Sequence, residues 1–287
     1  MRNLDENTIT EAVLARHEHA AGERLKTIAT SLVRHLHAFA REVNLTEREW
    51  EQGIRFLTEI GEITDDKRQE FILLSDTLGL SMLVTAMANR KPQGCTEATV
   101  FGPFFVEGAP AYQNGDDVAH GAHGEPCFVS GSVRGLDGEA VGGARIEVWQ
   151  ADADGFYDVQ RAGDDAHRAR GALHSLADGS YHFRSIVAEP YPIPHDGPVG
   201  KMLTALGRHP WRPAHLHFMI TAPGYERLVT HVFRDGDPYL DSDAVFGVRS
   251  SLVAPWVRHE EGTAPDGTRM KTPYHTLEFN FVLNRSS

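Results

Sequence analysis

Arg145-Ile146-Glu147-Val148-Trp149-Gln150-Ala151-Asp152-Ala153-Asp154-Gly155-Phe156-Tyr157 sets the character of the larger part of the chain. Ile146 and Val148 alternate with polar neighbours across Arg145 to Gln150, the period-two pattern of a strand with one face on a core. Asp152-Ala153-Asp154-Gly155 then predicts a turn, because Asp side chains bond nearby backbone and Gly supplies positive φ. Similar punctuation recurs at Gly135-Leu136-Asp137-Gly138 and Asp178-Gly179-Ser180, and Leu277, Phe279, Phe281 and Leu283 alternate as one further strand. Many short strands joined by Gly/Asp turns predict an all-β sandwich from Thr99 onward.

Upstream, the period changes. Leu25, Ile28, Leu32, Leu36, Phe39 and Val43 recur in steps of three and four, one face of a helix. Thr46 and Glu49 form a capping-box pattern ahead of Trp50, Ile54 and Leu57. A third helix is expected from about Asp66 to Ala88, carrying Phe71, Leu74, Leu78 and Met82 and stopping before Pro92 and Gly94. The expectation is an α+β chain with a helical domain over residues 1–98 and a β-sandwich catalytic domain over 99–287.

Composition narrows the function classes. With 287 residues and a formal charge of -12, the chain has material for a large core and lacks the basic balance of a nucleic-acid binder. No apolar run approaches the roughly 20 residues of a membrane span. The start Met1-Arg2-Asn3-Leu4-Asp5-Glu6 lacks a signal-peptide pattern, and only Cys95 and Cys127 are present, so a soluble cytoplasmic protein without a disulfide framework is expected.

Arg212-Pro213-Ala214-His215-Leu216-His217-Phe218 is the sharpest local feature. On a strand, His215 and His217 project together while Leu216, Phe218 and Ile220 face the other way. Two imidazoles on one strand make half a metal site, although a bare His-x-His is weak evidence alone. The residues leave the other half open. Fe(II) oxygenases add a carboxylate, a zinc hydrolase adds carboxylate or Cys, and Glu189, Asp196 and Asp235 are available for either. Tyr157 follows the Asp154-Gly155-Phe156 turn, and Tyr191 lies between Pro190 and Pro192, whose rings fix the backbone. Taken alone, either phenol reads more readily as a packed ring with a hydrogen-bonded hydroxyl, and a β-sandwich that merely binds a ligand or partner remains a competing class.

Trp149-Gln150-Ala151-Asp152 with Gly155-Phe156-Tyr157, then Tyr191-Pro192-Ile193-Pro194-His195-Asp196-Gly197-Pro198-Val199-Gly200, then Arg212 to His217, resemble the intradiol ring-cleavage dioxygenases in the same order. The resemblance extends from the helical region to the last strand. It implies one Fe(III) per subunit, held by Tyr157, Tyr191, His215 and His217, with O2 and a small aromatic diol or triol as reactants. It further implies that Tyr191 is the axial, displaceable tyrosinate and doubles as a base, and that His217 is the axial histidine. Arg212 matches the family arginine that stabilises carbanion character on the ring. A homodimer formed through the helical domain, with phospholipid at the interface, is implied as well. One departure stands out: where catechol-cleaving relatives carry glutamine, this chain reads Thr230-His231-Val232.

The segment Thr99-Val100-Phe101-Gly102-Pro103-Phe104-Phe105-Val106 resembles the pocket of the hydroxyquinol-cleaving members. The resemblance assigns Leu73, Asp76, Val100, Phe101, Gly102, Pro103, Phe104, Phe105, Arg212 and Val245 to the substrate pocket. An acid at Asp76 suits a third ring hydroxyl, although a polar helix face would carry the same residue, and the phenylalanines would also suit ordinary core. Hydroxyquinol (benzene-1,2,4-triol), opened to 3-hydroxy-cis,cis-muconate and maleylacetate, is therefore expected ahead of catechol or a substituted catechol.

Overall fold

The apolar steps between Leu25 and Val43 form a helix in the computed structural model, which describes residues 2–65, 68–161 and 167–286. A short α1 (Ile9–Leu14) precedes α2 (Glu23–Glu42), and α3 (Glu47–Ile63) follows. The capping box closes as expected: Glu49 accepts the Thr46 N–H at 2.9 Å, and Thr46 Oγ1 accepts the Glu49 N–H at 3.3 Å. Backbone packing divides the chain into two compact units, Met1–Glu62 and Ile63–Ser287.

The third helix differs from expectation. Its anticipated start at Asp66 lies outside the described residues, and the rest is two helices, α4 (Glu70–Thr77) and α5 (Leu80–Ala88), bent by 78°. Gly79 sits between them at φ 75°, a left-handed conformation that glycine enters without strain, and there the helix breaks. Both helices belong to the unit that contains the strands. No single helix among the described residues is long and apolar enough to cross a membrane.

The strands form two main sheets. In the first, β1 (Pro126–Gly135) pairs antiparallel with β4 (Ser180–Ile186) and parallel with β13 (Tyr274–Glu278) and β14 (Phe281–Leu283), while β10 (Trp256–His259) pairs with β13. The second runs β3 (Arg170–His174), β2 (Arg145–Trp149), β7 (His215–Thr221), β8 (Leu228–Arg234), β9 (Val253–Ala254). Two short ladders complete the set, β5 (Tyr191–Pro192) with β6 (Trp211–Arg212), and β11 (Gly262–Thr263) with β12 (Arg269–Met270). The expected single strand through Leu277 and Leu283 is thus two short strands, interrupted at Phe279 and Asn280. Ile146, Val148, Leu216, Phe218 and Ile220 from the second sheet join Val129, Val133, Phe183, Leu277 and Phe281 from the first in one buried core. The fold is an N-terminal helical region followed by a β-sandwich.

Candidate metal centre and substrate pocket

Strand β7 sends Leu216, Phe218 and Ile220 into the core, so His215 and His217 project from the opposite face of the sheet. Register then builds a row across that face. Arg170 of β3 lies opposite Trp149 of β2, Trp149 opposite His217, and His217 opposite His231 of β8. Trp149 stacks on His217 with centroids 4.6 Å apart and planes at 17°. Segments outside the sheet close over this row.

The turn after β2 delivers Tyr157, and the β5–β6 ladder delivers Tyr191 and Arg212 as cross-strand partners. Tyr157 Oη lies 2.9 Å from His217 Nε2, 3.5 Å from His215 Nε2 and 3.3 Å from Tyr191 Oη, and the two Nε2 atoms are 3.2 Å apart. All four residues are at most 5% exposed. His215 Nδ1 faces the Pro213 carbonyl at 2.7 Å; a carbonyl only accepts, so Nδ1 carries the proton and Nε2 turns its lone pair into the site. His217 Nδ1 and His231 Nε2 are buried without hydrogen-bond partners, while His231 Nδ1 bonds Thr99 Oγ1.

Burial keeps the imidazoles neutral. It lowers His215 to about 3, aided by the Arg212 charge, and holds His217 and His231 well below the usual histidine range. Burial, then the neighbouring Tyr191, pushes Tyr157 well above the usual phenol range. His215, His217 and His231 form a group whose donor atoms lie within 4.8 Å of one another, the one such group of three His, Cys or acidic residues among the described residues. The acids considered above point elsewhere: Glu189 pairs with Arg234, Asp196 with Arg68, and Asp235 accepts the Gly236 N–H.

Arg212 is fully buried and bound in a fork by Asp243, Nε to Oδ1 at 3.1 Å and Nη2 to Oδ2 at 3.3 Å, with Nη1 3.4 Å from His215 Nε2. Burial opposes the Arg212 charge, and Asp243 more than offsets it. Asp243 also accepts the N–H groups of Val245 and Gly247 at 3.2 and 2.8 Å. Sequence reading missed Asp243: it lies 31 residues from its arginine, in a turn-rich stretch without periodicity.

The expected pocket residues fall into two groups. Phe101, Phe104 and Phe105 pack around Trp149, Tyr157 and Tyr191, and Phe104 lies over Tyr157 with centroids 4.4 Å apart at 25°. The rings that contact Phe105 are Phe101 and Trp149, one ring removed from His217. Gly102 has φ 77°, and a Cβ there would come within 3.3 Å of His217 Cε1, so the chain passes directly over the imidazole. Val100 is buried beside this segment and Pro103 continues its turn. On the other side, Leu73 packs with Ile193, Leu203, Ala244 and Val245. Asp76 is 8% exposed; burial raises its carboxyl above the usual range, against a hydrogen bond from Ser81 and the charge of Arg212.

Family profiles match both parts of the chain, one described as Dioxygenase over residues 100–285 and one as Catechol dioxygenase N terminus over 22–96. This chain belongs to the intradiol ring-cleavage dioxygenases. It is 63% identical to a 6-chlorohydroxyquinol 1,2-dioxygenase of Cupriavidus pinatubonensis, over 99% of both chains. To a hydroxyquinol 1,2-dioxygenase of Nocardioides simplex it is 55% identical, covering 97% of this chain and 95% of the relative. Among solved structures, a hydroxyquinol 1,2-dioxygenase from Pseudomonas putida superposes with TM-score 0.92 at 48% identity, over 98% of this chain and 99% of the other. Intradiol dioxygenases as a family use non-haem iron, and the buried histidine cluster is consistent with that.

Proposed function

We propose that this intradiol dioxygenase opens hydroxyquinol between its adjacent hydroxyl-bearing carbons with O2, giving 3-hydroxy-cis,cis-muconate and hence maleylacetate, at one Fe(III) per subunit. The observation that carries the reading is the convergence of two phenol oxygens and two imidazole nitrogens in a buried site, with no carboxylate in the donor cluster among the described residues. His215 turns its Nε2 lone pair into the site, 3.2 Å from His217 Nε2 and 3.5 Å from the Tyr157 oxygen, a donor set that a cation would draw together. A phenol held this far above its usual range becomes phenolate only beside a strong positive charge, so metal binding and proton loss are coupled. Tyr157, Tyr191, His215 and His217 would hold the iron, and their hard, strongly donating phenolates favour the ferric state. When bound, the iron supplies an electrophilic centre to which an ortho-diol chelates.

The protein supplies the rest. With the iron bound, the Tyr191 oxygen would be the group placed to take a proton from a ring hydroxyl. Arg212, immobilised by Asp243, sets a fixed positive charge where negative charge develops on the ring. Phe101, Phe104 and Trp149 exclude water, and Gly102 leaves room above His217. The Asp76 carboxyl hydrogen-bonds the third hydroxyl of the triol, which catechol lacks. On the N-terminal unit, Leu25, Ile28, Leu32, Leu36, Phe39 and Val43 are each 49–57% exposed, supporting a homodimer through α2 with phospholipid against the same stripe.

Purified protein with one iron per chain and a visible tyrosinate charge-transfer band, cleaving benzene-1,2,4-triol with higher kcat/KM than catechol, is the expected result. A colourless zinc protein would overturn the metal reading; a coloured protein that prefers catechol would overturn only the substrate.

A further inference from the structure

Arg170 is 1% exposed and opens β3, where it continues the row through Trp149 to His217. A guanidinium in the interior needs a compensating charge. Asp158 provides it, accepting from Nε at 2.9 Å and from Nη2 at 2.6 Å. Asp158 is the residue after Tyr157, so this fork grips the backbone that aims the phenol. The same Nη2 donates to the Phe104 carbonyl at 2.7 Å, and Phe104 is the ring that lies over Tyr157. One side chain therefore ties together the two segments that carry a single ring stack, through the Phe104 carbonyl on one side and the carboxylate next to Tyr157 on the other.

Stability alone does not account for a charge here. Buried ion pairs are often no better than apolar residues of the same volume, and Arg170 Nη1 is buried without any hydrogen-bond partner. What a planar fork adds is direction, because its donors leave at fixed angles. Phe104 and Tyr157 come from loops more than fifty residues apart, and neither ring has a hydrogen bond to the other.

We propose that Arg170 is a positioning residue that fixes the Tyr157 phenol and the Phe104 ring as one unit, setting both how firmly Tyr157 holds a cation and the width of the cleft before it. This rests on the reading of Tyr157 as an iron ligand. The test compares full-length, iron-loaded wild type with Arg170→Met, Arg170→Lys and Asp158→Asn. Loss of iron to an external chelator, the visible band, and kcat and KM for the triol are measured separately, beside melting temperature. Arg170→Met is expected to lose iron roughly ten- to a hundredfold faster, with a shifted band and a raised KM. Asp158→Asn, which spares the Phe104 contact, acts mainly on iron loss and the band. Arg170→Lys restores part of both, and if Arg170→Met fails to fold, the Lys and Asn variants carry the comparison. Unchanged iron loss, band and KM with only a lower melting temperature would reduce the pair to a fold staple and overturn the proposal. A wild type that itself binds no iron and shows no band overturns the metal reading, and this proposal with it.

Discussion

The two compact units break the usual partition of polar and apolar residues in opposite ways. In Met1–Glu62, the helical stripe of Leu25, Ile28, Leu32, Leu36, Phe39, Val43, Trp50, Ile54 and Leu57 is 45–57% exposed at every position. In Ile63–Ser287, Asp76, Arg170, Arg212, His215, His217, His231 and Asp243 are all at most 8% exposed. Uncovered apolar surface and buried charge each cost free energy that ordinary packing avoids. The contrast teaches where to look for function: the first region offers an apolar face on its surface, the second gathers polar donor atoms in its interior.

The strongest way to break this contrast is to remove a donor. His215→Ala or His217→Ala is expected to abolish iron binding and activity, a larger loss than the roughly ten- to a hundredfold typical of outer partners. Full iron content and full rates in both variants, by metal analysis and oxygen uptake, would remove the second region's claim to a cation. Next in size is Asp243→Ala, which strands the Arg212 guanidinium in the interior at a cost of about 3–5 kcal/mol in unfolding free energy. Arg212 holds the Asp243 carboxyl below its usual range despite burial, so its contribution is present above the unfolded-state value near pH 3.9 and is lost as pH falls through the lowered folded value. The difference between wild type and variant should therefore be full at neutral pH and narrow below about pH 4, as denaturant titrations will show.

Asp76→Ala sharpens the comparison inside the second region. Loss of its hydrogen bond should lower kcat/KM for the triol by about 1.5–3 kcal/mol relative to catechol, with iron content unchanged. Equal losses on both substrates would shift the choice to the aromatic wall. The smallest effect on the chemistry is expected from Leu32→Glu with Phe39→Glu. These exposed positions should change folding stability by no more than about 0.5 kcal/mol in an isolated chain. Light scattering should nevertheless move from dimer to monomer, and kcat/KM should stay near wild type. A wild type already monomeric at micromolar concentration would end the proposed role of the stripe.

Sequence carried the site better than the helices around it. That His215 and His217 project together was legible because one strand fixes both side chains by period, whereas Tyr157 and Tyr191 entered the candidate set only through the family resemblance. The break at Gly79 was hidden: Leu74, Leu78 and Met82 keep helical steps straight across it, so periodicity runs on where the backbone does not. The interruption at Phe279 was hidden for the matching reason, since Leu277 and Phe281 enter the core on either side of it. Asp243, the Arg170–Asp158 fork and the position of His231 depend on strand register and loop return, and those arise from pairings between distant segments that no local pattern records.

Strand β1 takes its parallel neighbours from far along the chain, Cys127 beside His275 and Val133 beside Phe281. During synthesis, every proposed iron donor up to His217 leaves the ribosome before those partners exist. In the folded sheet β4 pairs along one edge of β1, and β13 and β14 along the other, so a chain without those two strands would leave that edge open to a neighbouring molecule. Closure of the first sheet therefore waits for Tyr274 to Leu283, which latch β1 about 140 residues after it is made.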